Sequence, residues 1–150
     1  MKIGVIVFSQ TGNTRSVAEK ILEAFADTGH EVKLESVETI SDNPPIRLKT
    51  TPDVSPYDAL IFASPVQAMS LAAAMKAYLA QISGLEGKKV NCFVTENFKN
   101  PIMGGNRAVR WIRDACKNKG ANVVHRGIVH WSDEKREAQI KEVVRRMCCV

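Results

Sequence analysis

Short, nearly continuous aliphatic runs alternate with segments whose apolar residues recur at helical spacing, and this alternation limits the possible folds more than any other feature. The clearest aliphatic runs are residues 2–8, 59–63 and 90–94. Apolar residues recur at helical spacing over residues 17–25, 71–82, 108–116 and 140–147. Aliphatic runs of this length are typical of strands that are buried on both faces. Strands that alternate with helices predict a parallel sheet covered by helices on both sides.

Two further strands complete the predicted sheet. Residues 31–37 alternate less regularly and predict a strand near an edge, and residues 122–131 contain a last strand. We interpret residues 38–57, which hold four of the six prolines, as an irregular connection. The prediction is a three-layer α/β fold with a doubly wound, five-stranded parallel sheet, in a single domain over residues 1–150.

The positive charge is concentrated in the last third of the chain. The net charge is +5, and counting Lys and Arg against Asp and Glu gives −1 for residues 1–50, 0 for 51–100 and +6 for 101–150. Such a bias attracts acidic partners, although a solvated helical face is the simpler interpretation. We expect no nucleic-acid partner and, for a partner protein or electron acceptor, acidic character.

The remaining composition indicates a cytoplasmic protein without a metal site. The four cysteines form no C-x-x-C pair and no cluster with histidine, and free thiols are typical of a reducing compartment. No stretch approaches the roughly 18 apolar residues of a membrane span, and residues 1–8 lack a following cleavage site. The three histidines suggest no catalytic residue, and we expect a structural role for His130 and Trp131.

The loop after the first strand has the composition of a phosphate site. It consists of Ser9, Gln10, Thr11, Gly12, Asn13 and Thr14. Hydroxyl and amide groups surround one glycine and lead directly into a helix, whose free N–H groups and dipole favour an anion. A simple helix cap needs only one such residue, so we predict that this loop binds a phosphate.

These six residues resemble the flavodoxin phosphate loop, [S/T]-x-T-G-N-T, in its usual place after a first strand. The likeness extends along nearly the whole chain. It implies a flavodoxin-like sheet with strand order 2-1-3-4-5 and FMN bound noncovalently, with the FMN phosphate in this loop.

The resemblance extends to the loop after the third strand. This loop contains Ser64, Pro65, Val66, Gln67 and Ala68, and it implies backbone contacts to the flavin edge, with the carbonyl of Gln67 or Ala68 accepting a hydrogen bond from the reduced ring. The loop lacks the glycine that many members have. A change to positive φ is therefore expected to be unfavourable here. Met69 either stacks on the flavin or begins the next helix core.

A third loop follows the fourth strand, and the resemblance implies that its Thr95 meets the pyrimidine side of the flavin. Its candidate contact residues are Thr95, Glu96, Asn97 and Phe98. Phe98 either covers a ring face or packs against the protein itself. The charges of Lys99, Arg107 and Arg110 are expected to make the flavin easier to reduce than in an acidic flavodoxin.

The sequence leaves three functions open. An FMN-binding electron carrier is the first. An NAD(P)H-dependent FMN oxidoreductase of quinones or similar acceptors is the second, and a non-catalytic FMN-binding regulatory module is the third. In each case the flavin supplies the chemistry and the protein supplies binding, orientation and redox tuning.

Overall fold

A central parallel sheet organises the chain in the computed structural model, which describes residues 1–41, 43–98 and 104–150. The strands are β1 (Lys2–Val7), β2 (Glu31–Ser36), β3 (Glu38–Ser41), β4 (Arg47–Thr50), β5 (Ala59–Gln67), β6 (Ser70–Leu71), β7 (Lys89–Glu96) and β8 (Asn122–His130). The helices are α1 (Asn13–Phe25), α2 (Ala73–Gln81), α3 (Gly105–Asn118) and α4 (Arg136–Met147).

The five long strands pair in the order β2-β1-β5-β7-β8, and every pairing among them is parallel. Counted as the five parallel strands in chain order, this is 2-1-3-4-5, so the predicted order is confirmed. The order reverses between β1 and β5, and in open α/β sheets a ligand cleft forms at that point, beyond the carboxyl ends of the strands.

Two packed clusters make the sheet the middle of three layers. Helices α2 and α3 cover one face, where Phe62 and Cys92 meet Tyr78 and Ile112. Helices α1 and α4 cover the other face with a second cluster of buried residues. The near-continuous aliphatic strands follow from this double coverage, because successive side chains of one strand enter opposite clusters.

Two predictions from the sequence are wrong, one about the connection over residues 38–57 and one about the start of a helix. Within residues 38–57, β3 and β4 form a separate antiparallel pair instead of an irregular connection. The helix expected from residue 71 begins at Ala73, because Leu71 belongs to the short strand β6, which pairs antiparallel with the end of β5. None of the described helices has the length and hydropathy that crossing a membrane requires.

Candidate functional site

A cleft of about 220 Å³ lies at the carboxyl ends of β1, β5 and β7. It brings together residues from all three loops singled out in the sequence. The lining residues are Gln10, Thr11, Asn13, Pro65, Val66, Gln67, Thr95, Glu96, Asn97 and Trp131. Only Trp131 lies outside the predicted set.

The first loop ends in a backbone shape suited to an anion. Gly12 precedes α1 with φ of 92°, a conformation that residues with a side chain rarely adopt, and a Cβ built there would meet nothing within 4 Å. In the described part of the chain, the amides of Gly12, Asn13 and Thr14 have no hydrogen-bond acceptor, whereas the Arg15 amide donates to Ser9 Oγ at 3.3 Å. Three adjacent free N–H groups thus remain at the start of the helix.

Thr14 joins this loop to the third loop. Its Oγ1 lies 2.8 Å from Thr95 Oγ1, and both residues are almost fully buried. A single contact between two hydroxyl groups therefore connects the start of α1 with the end of β7.

The second loop is a tight hairpin between β5 and β6. Gln67 pairs with Ser70, and the two residues between them, Ala68 and Met69, have φ of 49° and 60°. Two-residue hairpins of the primed type require positive φ at both positions, so the loop adopts this conformation although it has no glycine. Met69 is 47% exposed at the hairpin tip, which excludes the expectation that it begins the helix core.

Side chains of the first two loops meet across the cleft. The Gln67 Nε2 group donates to Gln10 Oε1. Ser64 behaves differently from its neighbours, because it is fully buried and its hydroxyl donates to the Pro65 carbonyl at 3.0 Å. The structure therefore places Pro65, Val66 and Gln67 at the cleft and Ser64 beneath it.

The third loop is attached to the residues that follow β8. The Trp131 amide donates to Glu96 O at 2.7 Å, and Ser132 Oγ donates to Asn97 O. His130 Nδ1 lies 2.7 Å from Phe98 O. The Phe98 side chain is 52% exposed, so it is not part of a packed core. Lys99 lies outside the described residues.

Glu96 is a buried carboxylate beside the cleft. Its Oε1 lies 2.9 Å from His130 Nδ1, and the Gly105 amide at the start of α3 also points to this carboxylate. Burial raises the pKa of the Glu96 carboxyl above its usual value of 4.5, and the His130 ring and the Gly105 amide oppose this rise. A Cβ at Gly105 would lie 2.8 Å from Glu96 Oε1, so a side chain at this position would force the carboxylate to shift.

Two residues of the site were missed or misjudged from the sequence. Trp131 reaches the cleft, and the Arg136 guanidinium lies over its ring, 4.7 Å from the centroid. Gly104 has φ of 122°, and a Cβ there would come within 2.7 Å of the Met69 carbonyl carbon. The available signals were the position of Trp131 directly after the last strand and the Gly-Gly pair before α3.

The structure describes two of the three positive residues that were expected near the cleft, and neither of them lines it. Arg110 lines a different groove, beside β8. Arg107 is exposed on the first turn of α3. The titratable groups at the cleft wall are instead Glu96 and its neighbour His130.

Comparison with known proteins gives a consistent result. Residues 4–101 match the model of a family described as Flavodoxin domain. The chain is similar in structure to oxidised Flavodoxin 1 from Bacillus cereus, with a TM-score of 0.68 and 21% identity over 100% of this chain and 99% of that chain. It is also similar to a flavoprotein in complex with FMN from Lactobacillus acidophilus NCFM, with a TM-score of 0.62 and 20% identity over 92% and 97% of the two chains.

Proposed function

Since the chain belongs to the flavodoxin domain family, we propose that it binds FMN noncovalently in the cleft and acts in electron transfer. The observation that carries the proposal is the set of three free amides of Gly12, Asn13 and Thr14 at the start of α1. They lie beside a cleft at the point where the strand order reverses.

The first loop fits the phosphate of FMN. Three adjacent N–H groups and the positive end of the α1 dipole favour a dianion, and the space beside Gly12 is open. The Thr11 hydroxyl at the cleft adds a donor. Thr14 is held in its buried contact with Thr95 and supports the loop from below.

The second and third loops fit the flavin ring. The Pro65–Gln67 segment and the Thr95–Asn97 segment leave neighbouring strands and both line the cleft, and Trp131 adds an aromatic surface. Most of the lining side chains are polar and can meet the ring edge, while Pro65, Val66 and Trp131 supply apolar contact. When bound, FMN supplies the capacity to accept and release electrons. The protein residues hold the ring, limit its contact with water and set the charge around it.

The proposal also covers the compartment, the domain organisation and the electron partner of this protein. The chain acts in the cytoplasm, consistent with four cysteines that form no disulfide in the described residues. Residues 1–150 act as one domain, since one sheet carries both buried clusters. The electron partner is a protein or a small acceptor, and the basic last third favours acidic character.

The decisive experiment loads purified protein with FMN and follows the flavin absorption anaerobically. We expect little bleaching with NADPH alone and rapid bleaching when a catalytic amount of a separate NADPH-dependent reductase is added. Protein without reductase and reductase with free FMN are the controls.

The same measurement separates the alternatives. Rapid bleaching by NADPH alone would assign an NAD(P)H-dependent oxidoreductase. FMN that binds but exchanges electrons with no donor would indicate a regulatory module. Failure to bind FMN would contradict all three functions.

A further inference from the structure

A second, larger groove lies along the free edge of the sheet and shares no lining residue with the cofactor cleft. Its volume is about 690 Å³, and it runs between α3 and β8 to the end of α4. Its polar and charged lining residues are Asn106, Arg110, Arg113, His125, Arg126 and Arg146. No function derived above uses this groove.

Two of the four arginines that line the groove have no ion-pair partner among the described residues. Arg113 pairs with Asp114 at 2.9 Å, and Arg146 pairs with Glu142 at 3.0 Å. Among the described residues, Arg110 and Arg126 form no ion pair, and both are exposed. Two unpaired guanidinium groups at one groove attract a ligand with several negative charges.

The floor of the groove is suited to a polypeptide. Within the described chain, β8 pairs only with β7, so its other edge is open. Arg126 O accepts from Arg146 Nη1 and His130 N donates to Gln139 Oε1, which shows that the backbone of alternate residues faces this edge. Ile128 lies between them, and its amide and carbonyl face the same way. An extended segment can use both groups, whereas a phosphate backbone has no donor for the carbonyl.

Apolar side chains support the same choice of ligand. Val124 is 46% exposed in the groove wall, and half-buried Ile128 lies beside it. Arg126 and Ile128 are two residues apart on β8, so their side chains lie on the same face. An extended segment with an acidic and an apolar side chain two positions apart would therefore meet both. An acidic peptide therefore fits the lining better than a nucleic acid.

We propose that this groove binds an extended acidic segment of a partner protein. The inference rests on the lining of the groove and does not depend on FMN. One end of the groove is Asn106, next to Gly105, which touches the cleft residue Glu96. A segment bound here lies beside the cofactor cleft, which is the position a protein that exchanges electrons with it would occupy.

The test uses a short fluorescein-labelled peptide in which Glu and Val alternate at every second position, with Thr between them, and its binding is followed by anisotropy at low salt. The groove variant is Arg110→Glu with Arg126→Glu. The matched control is Arg47→Glu with Lys49→Glu, because these residues are exposed on β4 and the charge change is the same. Thermal melts check that both variants are folded, and each titration is made with and without FMN.

We expect the groove variant to weaken peptide binding by about tenfold or more, the control variant by less than about twofold, and added salt to weaken binding to the unmodified protein. Equal losses in the two variants would overturn the proposal, because net charge alone would then explain binding. No peptide binding, or tighter binding of a labelled oligothymidylate through the same arginines, would also overturn it. Peptide binding without FMN binding would reject the proposed function and leave this inference intact.

Discussion

Glu96 Oε1 lies 2.9 Å from His130 Nδ1, and the same nitrogen lies 2.7 Å from the carbonyl oxygen of Phe98. One Nδ1–H group thus has two acceptors, a buried carboxylate and the backbone of the third loop. Because a single hydrogen bonds well to only one of them, the Glu96 oxygens have no good hydrogen-bond partner among the described residues, and burial disfavours their charged form. The stability of the cleft wall is therefore linked to the protonation of Glu96.

Glu96→Gln is expected to make the protein less sensitive to pH. The raised pKa of the Glu96 carboxyl means that the folded state keeps this proton when the unfolded chain has lost it. The resulting stabilisation is complete below the usual value of 4.5 and is lost as pH rises through the raised pKa. Relative to the unmodified protein, the Gln variant should gain melting temperature as pH increases from acid to neutral. Glu134→Gln, at an exposed position, is the control, and parallel melting curves for the unmodified protein and Glu96→Gln would contradict the expectation.

Gly12→Ala should weaken FMN binding by about tenfold, which corresponds to about 1.4 kcal/mol. The added methyl group enters the open space beside the free amides, at a φ that is unfavourable for alanine. Gly29→Ala is a matched control, because Gly29 also has positive φ and open space but lies at the far end of α1. Both variants should lose about 1 kcal/mol of stability. Fluorescence titration of the apoprotein decides, and equal affinity in the two variants would remove the phosphate assignment.

Trp131→Ala should weaken FMN binding by up to about tenfold, because aromatic contact contributes about 0.5–1.5 kcal/mol beyond burial. Trp131→Phe should keep most of the affinity. Trp111→Ala is the control, since Trp111 lies on α3 beside Lys76 and does not line the cleft. A Trp131→Ala variant with unchanged FMN affinity would show that this ring supports only the third loop.

Phe98→Ala should leave the melting temperature nearly unchanged while the fluorescence of bound FMN rises. The Phe98 side chain is half exposed, so its removal creates no buried cavity, and a ring that covers the flavin would quench its emission. Phe93→Ala provides the contrast, because Phe93 is fully buried and its truncation should cost about 3–5 kcal/mol. A large loss of stability in Phe98→Ala with unchanged quenching would instead make Phe98 a packing residue.

The parallel sheet could be predicted because strands that are buried on both faces have a distinctly apolar composition. The runs at 2–8, 59–63 and 90–94 carry apolar residues on both faces, as expected for a strand that is covered on both sides. The pair β3 and β4 has no such pattern. Exposed and half-buried residues alternate over only four positions in each strand, which is too short a pattern to recognise in the sequence. The pairing between the two strands, and not their burial, defines them.

The first loop of the candidate site could be predicted from its own chemistry, whereas the cleft residues of the second and third loops were predicted through the resemblance to flavodoxins. Ser9 to Thr14 combine donors, a glycine and a helix start in six consecutive residues. Trp131 and Gly104 have no local signal of this kind, because their roles arise from contacts with Glu96 and Met69, which are distant in sequence. Such roles depend on which distant segments the fold brings together near the carboxyl ends of the strands.

The close approach of Gly104 to Met69 has a consequence for how this sequence can change over evolutionary time. A Cβ at position 104 would overlap the backbone of the hairpin tip and Val66 Cγ1, so no single substitution there is compatible with the present hairpin. A longer or reshaped hairpin would, in turn, remove the wall against which the start of α3 packs. The two loops are therefore expected to diversify together, with insertions or altered residues in one accompanied by changes in the other. In a set of homologues, positions 66–69 and 104 should covary more strongly than either does with the phosphate loop.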